Sequence, residues 1–180
     1  MLSLWWLPVE YWESAARELG KPKEEIERVR TVLNTYLILG FVDAQVSREG
    51  KLNFRSLEKT NESLVLLGGG REFRPAGRLD PEVRRLLPEL AYFMTSGLGV
   101  MSSGLRLVLF ANIDKAGQPV ISASRRGEVQ ARYTPEDTPP VSFTWVAPLT
   151  AVVGVRRCPE GGEDLEASWA YCPWHGVPVE

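Results

Sequence analysis

The chain has 180 residues, a formal net charge of −2, 44% hydrophobic and 24% charged side chains. That composition supplies a core and excludes a largely disordered chain. The near-neutral balance lacks the concentrated basic field of a dedicated nucleic-acid binder, so no nucleic-acid partner is expected. No apolar run approaches the roughly 20 residues that cross a bilayer, so no transmembrane segment is expected.

The apolar start MLSLWWLPVEYW has neither a basic leading region nor a small-residue cleavage site, and is not read as a signal peptide. A soluble protein is the expectation. A cytoplasmic location is preferred over a secreted or periplasmic one, which two cysteines leave open. Trp5, Trp6, Tyr11 and Trp12 are expected to cover the protein's own sheet edge, with membrane or partner anchoring as the alternative.

A helix is predicted from about Pro8 to Leu19, with Val9, Trp12, Ala16 and Leu19 on its buried face. Pro22 opens a second helix with Ile26, Val29, Leu33 and Tyr36 on one stripe, so the two form a helical hairpin. Their acids, Glu10, Glu13, Glu18, Glu24, Glu25 and Glu27, read as a solvated surface.

Strands follow in TYLILGFVDAQVS and KLNFRSL, with a turn at Glu49-Gly50. SLVLL and REFRP flank Gly68-Gly69-Gly70, a hairpin whose turn requires positive φ. Asp80 and Pro81 mark the start of a third helix, with Val83, Leu86, Leu87, Leu90, Ala91 and Met94 on its buried stripe. Pro88 should kink it. Gly97 and Gly99 end it. LRLVLFAN and PVISAS read as partner strands across Lys115-Ala116-Gly117. GEVQARY and VSFTWVAP form a last pair around TPEDTPP. Hairpins dominate, so the fold class is α+β. An N-terminal helical hairpin packs on a mainly antiparallel sheet with one further kinked helix. Residues 1–157 form the globular part and residues 158–180 a separate tail.

Few residues outside the tail suggest chemistry. The glycines of Gly68–Gly70 and Gly97–Gly104 lack the strand-to-helix order of a phosphate loop. The only histidine is His175, so no serine triad can be assembled in the body. Asp43 interrupts an apolar strand and is placed on a solvated face or strand end, with lining a site as the alternative. Arg71, Arg74, Arg78, Arg84, Arg85, Arg125 and Arg126 could serve an anion patch, but surface pairing with neighbouring acids is the simpler reading.

The tail, CPEGGEDLEASWAYCPWHG, holds both cysteines and the histidine. Cys158-Pro159 and Cys172-Pro173 each precede a glycine, and His175 follows Cys172 by three positions. Gly161 stands where a second ligand of the first motif would be. This arrangement resembles a zinc ribbon, in which each Cys-Pro-x-Cys-Gly knuckle supplies two ligands. The resemblance implies a hairpin with Leu165, Trp169 and Tyr171 as its small core. It also implies a metal, zinc, at Cys158, Cys172 and His175, with Glu160, Glu163 or Asp164 within reach of the vacant fourth position. A Cys158–Cys172 disulfide and a reduced, metal-free hairpin are the alternatives. The body's layout looks like that of uncharacterised bacterial proteins, a similarity that brings no activity.

The expected function is a non-enzymatic binding or interaction protein with a protein partner. Two alternatives are a zinc-dependent enzyme with an open position at the tail, and a carrier of an apolar ligand between helix and sheet.

Overall fold

A computed structural model describes residues 1–95 and 97–179. The chain begins with β1 (Leu2–Trp6), the helices α1 (Val9–Glu18) and α2 (Lys23–Leu33), and the long strand β2 (Tyr36–Val46). Then come β3 (Leu52–Phe54), α3 (Leu57–Ser63), β4 (Leu64–Gly68), β5 (Arg71–Phe73) and α4 (Pro81–Thr95). A 3₁₀ helix, Gly99–Gly104, precedes β6 (Arg106–Ala111), β7 (Gly127–Tyr133) and β8 (Val141–Ala147). The chain closes with α5 (Thr150–Val153), β9 (Arg156–Arg157) and β10 (Asp164–Leu165). All strand pairs are antiparallel, so the expected α+β architecture is present.

Three layers stack around β2. One sheet holds β1, β2, β3 and β6, with β2 pairing all of the others. The second runs β5-β4-β7-β8. The alternation of β2 explains the stacking, because successive side chains of a strand point to opposite faces. Leu37, Leu39 and Phe41 join a core with Leu64, Leu66, Val129, Ala131 and Tyr133 of the second sheet. Ile38 faces the other way, into a core with Trp12, Leu33, Val83 and Leu90 of the helices. Gly40 shares that face, where an added Cβ would lie 3.1 Å from Leu7. Both faces of β2 are covered from Leu37 to Phe41, so that part of the strand reads as a continuous apolar run, and the strand ends exposed at Gln45 and Val46.

Local chemistry sets most boundaries. Gly69 and Gly70 take positive φ between the paired residues Gly68 and Arg71, as a tight hairpin turn requires. The Asp80 carboxylate accepts a hydrogen bond from the Glu82 amide at 2.7 Å and starts α4. That helix runs on through Pro88.

Several expectations are corrected. Leu19 is exposed, whereas Glu13 is only 7% exposed and pairs with Arg17 and Arg30. Tyr36 begins β2 instead of closing α2. The segment after Arg55 is helical, since the Ser56 hydroxyl accepts from the Lys59 amide and caps α3. PVISAS forms no strand. Asn112 donates to the Ile121 carbonyl at 2.8 Å and accepts from its amide at 2.9 Å, so a side chain replaces the ladder there. As expected, the N-terminal tryptophans serve the protein's own packing, with Trp6 and Trp12 buried and Trp5 partly buried, whereas Tyr11 is exposed.

Asp43 is the largest correction. It continues the inward row of Leu37, Leu39 and Phe41, and its side chain is 12% exposed instead of solvated. The carboxylate accepts from Arg55 Nε at 2.7 Å and from the Tyr133 hydroxyl at 2.7 Å. Tyr133 belongs to the second sheet, and its ring also meets Phe41 edge-on at 4.8 Å. The network therefore ties the two sheets at one end. Burial and the hydrogen bond to Asp43 keep the Tyr133 hydroxyl protonated far above its ordinary range.

Arg55 also donates through Nη2 to Asp137, on the loop between β7 and β8, at 2.5 Å. Gln45 donates to the other Asp137 oxygen at 3.1 Å. These bonds hold the Asp137 carboxyl below its ordinary value of 3.8.

Tyr133→Phe removes a hydrogen bond to a charged group and should cost about 1.5–3 kcal/mol in urea unfolding. Arg55→Met strands the Asp43 charge and should cost more, about 3–5 kcal/mol. A lowered carboxyl contributes stability that is present above its unfolded pKa and is lost as pH falls through its folded value. The Asp137 contacts should therefore hold at neutral pH and release in acid, below about pH 4. NMR of the Gln45 side-chain amide should follow that release, and Asp137→Asn should abolish the transition.

Candidate metal centre

The tail folds as two copies of one turn. In the first, the Cys158 amide donates to the Glu163 carbonyl at 2.9 Å and the Gly162 amide to the Cys158 carbonyl at 2.9 Å. In the second, the Cys172 amide donates to the Val177 carbonyl at 2.8 Å and the Gly176 amide to the Cys172 carbonyl at 2.8 Å. Gly162 and Gly176 take φ of +75° and +69°, which a side chain would resist. Each glycine closes the turn one position after the second ligand slot, Gly161 in one copy and His175 in the other.

The hairpin is bonded to the neighbouring chain at several points, including Arg156 to the Ala167 and Trp169 carbonyls. β9 pairs β10 through Arg157 with Asp164 and Arg156 with Leu165. The Thr150 hydroxyl donates to Glu166 at 2.5 Å and accepts from the Ala167 amide at 3.0 Å. Cys158, Leu165, Cys172 and Val179 form the hairpin's own small core. Leu165 lies in it as expected. Trp169 and Tyr171 do not, being 37% and 63% exposed. Trp169 instead meets Trp174, itself 62% exposed, edge-on at 6.1 Å.

Cys158, Cys172 and His175 converge. The two thiols are buried and free. His175 Nδ1 lies 3.3 Å from the Cys158 sulfur and 3.5 Å from the Cys172 sulfur. Glu163 completes the group, with Oε2 at 3.7 Å from the same nitrogen. One donor atom from each of the four residues lies within 4.8 Å of the others. Cys158 sulfur further accepts from the Gly161 amide at 3.4 Å, a contact suited to a thiolate.

Glu163 takes the place that Gly161 leaves vacant. A Cβ built on Gly161 would fall inside the Glu163 carboxylate. Glu163 Oε2 is buried and has no hydrogen-bond partner. Its nearest positive partner is the His175 imidazole at 3.7 Å, beyond hydrogen-bond distance, and a bound cation would satisfy it. Of the three acids within reach on the sequence, only the geometry selects Glu163. Without a cation, the Cys158 sulfur, followed by the charges of Glu163 and Glu160, pushes the His175 imidazole above its ordinary pKa.

Outside the tail, a shallow polar cleft of about 310 Å³ contains Asp43, Arg55, Lys59 and Asp137. The space among Trp12, Val29, Leu86, Leu90 and Phe93 measures only about 30 Å³, one water molecule's worth and far below an organic ligand. Of the arginines, Arg74 pairs with Glu72 at 3.1 Å and Arg125 donates to the Pro119 carbonyl at 2.6 Å. Among the described residues no helix is long and apolar enough to cross a membrane. Compared with protein-family models, with curated proteins and with solved structures, the chain matches none of them.

Proposed function

We propose that this is a non-enzymatic interaction protein whose C-terminal hairpin is stapled by a zinc ion held by Cys158, Glu163, Cys172 and His175. The observation that carries the reading is the orphaned Glu163 oxygen, set where the missing ligand of the first knuckle would be. The separations support it. Zinc bonds of about 2.0–2.3 Å arranged as a tetrahedron put neighbouring ligands about 3.3–3.8 Å apart. The three separations at His175 Nδ1, 3.3, 3.5 and 3.7 Å, fall in that range.

Four protein ligands favour a structural ion over a catalytic one, which keeps a position for water. The ion would supply cross-linking that a core of four small residues lacks. The ionisable groups of the body's cleft, Asp43, Arg55, Lys59 and Asp137, include ones already engaged with each other. Asp43 already takes bonds from Arg55 and Tyr133, and no histidine lies near it. Trp169, Tyr171 and Trp174 stay exposed around the staple, where aromatic side chains commonly anchor a protein partner.

Elemental analysis beside a thiol titration in denaturant tests the staple. One zinc per chain with two free thiols supports it. No metal and no thiols means a Cys158–Cys172 disulfide, and no metal with two thiols means a metal-free hairpin; either sinks the reading. Cys172→Ser should abolish zinc binding. Glu163→Ala should weaken it by at least about tenfold, the loss seen even for outer-shell partners. Cobalt(II) replacing zinc gives a second check. The wild-type spectrum should be tetrahedral and insensitive to azide, whereas Glu163→Ala should take azide at the opened position. Azide binding by the wild type would favour the enzyme reading instead.

A further inference from the structure

The cleft beside the Asp43 network already holds one carboxylate, that of Asp137. Arg55 is the fixed half of the cleft. Its side chain is 11% exposed, its Nε is anchored on Asp43 at 2.7 Å, and Asp43 is in turn held by Tyr133. A guanidinium fixed by one edge presents its remaining donors without further ordering cost. Nη2 points at the loop, and Gln45 Nε2 points at the same spot from β2. Each donates to a different oxygen of one carboxylate, Asp137, at 2.5 and 3.1 Å.

The occupant differs from the receptor. Asp137 is half exposed and stands on a loop, T-P-E-D-T-P-P from residue 134 to 140, that belongs to neither strand. The cleft of about 310 Å³ extends past it along Asn53, Ser56 and Lys59. Lys59 makes no ion pair among the described residues. With Asp137 in place, the lining charges of Asp43, Arg55, Lys59 and Asp137 cancel. Without it, Arg55 and Lys59 stand against Asp43 alone, and one external carboxylate restores neutrality.

We infer that this cleft binds a carboxylate ligand, with Asp137 as a built-in competitor that occupies the Arg55–Gln45 donor pair until the ligand displaces it. A second carboxylate on the same ligand would reach toward Lys59. Exchange of one carboxylate for another keeps every donor satisfied, so opening the loop leaves no buried charge bare. The competitor lowers apparent affinity by the fraction of time that it holds the site. The inference is independent of the metal and of the tail.

The test uses the full chain. Succinate, a free dicarboxylate, and a tetra-glutamate peptide are titrated by calorimetry into wild type, Asp137→Ala, and Asp137→Ala combined with Gln45→Ala. Removing the competitor should raise affinity at least about tenfold, and removing Gln45 should reverse most of that gain. Melting temperature should rise with ligand more in Asp137→Ala than in wild type, through mass action. Asp137→Asn retains the bulk of the loop and should move in the same direction, should the alanine variant prove unstable. Preference for succinate assigns the site to small metabolites, and preference for the peptide assigns it to acidic protein segments. Equal binding by wild type and both Asp137 variants, no binding by any, or phosphate binding as tight as succinate would overturn the inference.

Discussion

Burial of β2 on both faces governs the body of this protein. From Leu37 to Ala44 the strand is covered by helices on one side and a second sheet on the other, and only its end at Gln45 and Val46 is exposed. Every inward position must be apolar or fully partnered. Leu37, Leu39 and Phe41 meet the first condition, and Asp43 meets the second through Arg55 and Tyr133. Those partners lie on β7 and just past β3, so satisfying one carboxylate fixes the mutual placement of three chain segments. Replacing such a network by apolar side chains can be neutral for stability, so its presence points to something other than tightness of packing.

The tail obeys a different constraint. Its core of Cys158, Leu165, Cys172 and Val179 removes too little apolar surface from water to order a hairpin alone. Short two-strand hairpins are marginal in water. Duplicated turns order the chain where packing is thin, and an ion on the convergent donors would add the cross-link that packing lacks. The three large aromatics, freed from core duty, can lie on the outside.

Much of the architecture was legible because local chemistry and periodicity agreed. The GGG turn needs positive φ at two positions, and Asp80 before Pro81 has one obvious role. The run from Tyr36 to Val46, rich in β-branched and aromatic residues, is a strand under any reading. The losses have common causes. An outward Asp43 follows from a sheet covered on one side, and only tertiary stacking reveals a second cover. Ser56 carries a cap signal, but it sits among residues that also favour strands. Asn112 overrides PVISAS through a side chain nine residues distant, which no local window weighs. In the tail, spacing brought Cys158, Cys172 and His175 together as candidates. It left three acids equivalent, because the choice of Glu163 depends on where its side chain folds back over Gly161.

Glu163 has two separable tasks. Its carbonyl accepts the Cys158 amide and closes the knuckle, whatever its side chain may be. Its carboxylate is left free to set the character of the donor cluster. Exchanging a thiolate for a carboxylate makes the cluster harder in the Lewis sense and moves its preference away from soft ions such as Cu(I). One side chain, changed without disturbing the turn that carries it, thus tunes which metal the hairpin would select.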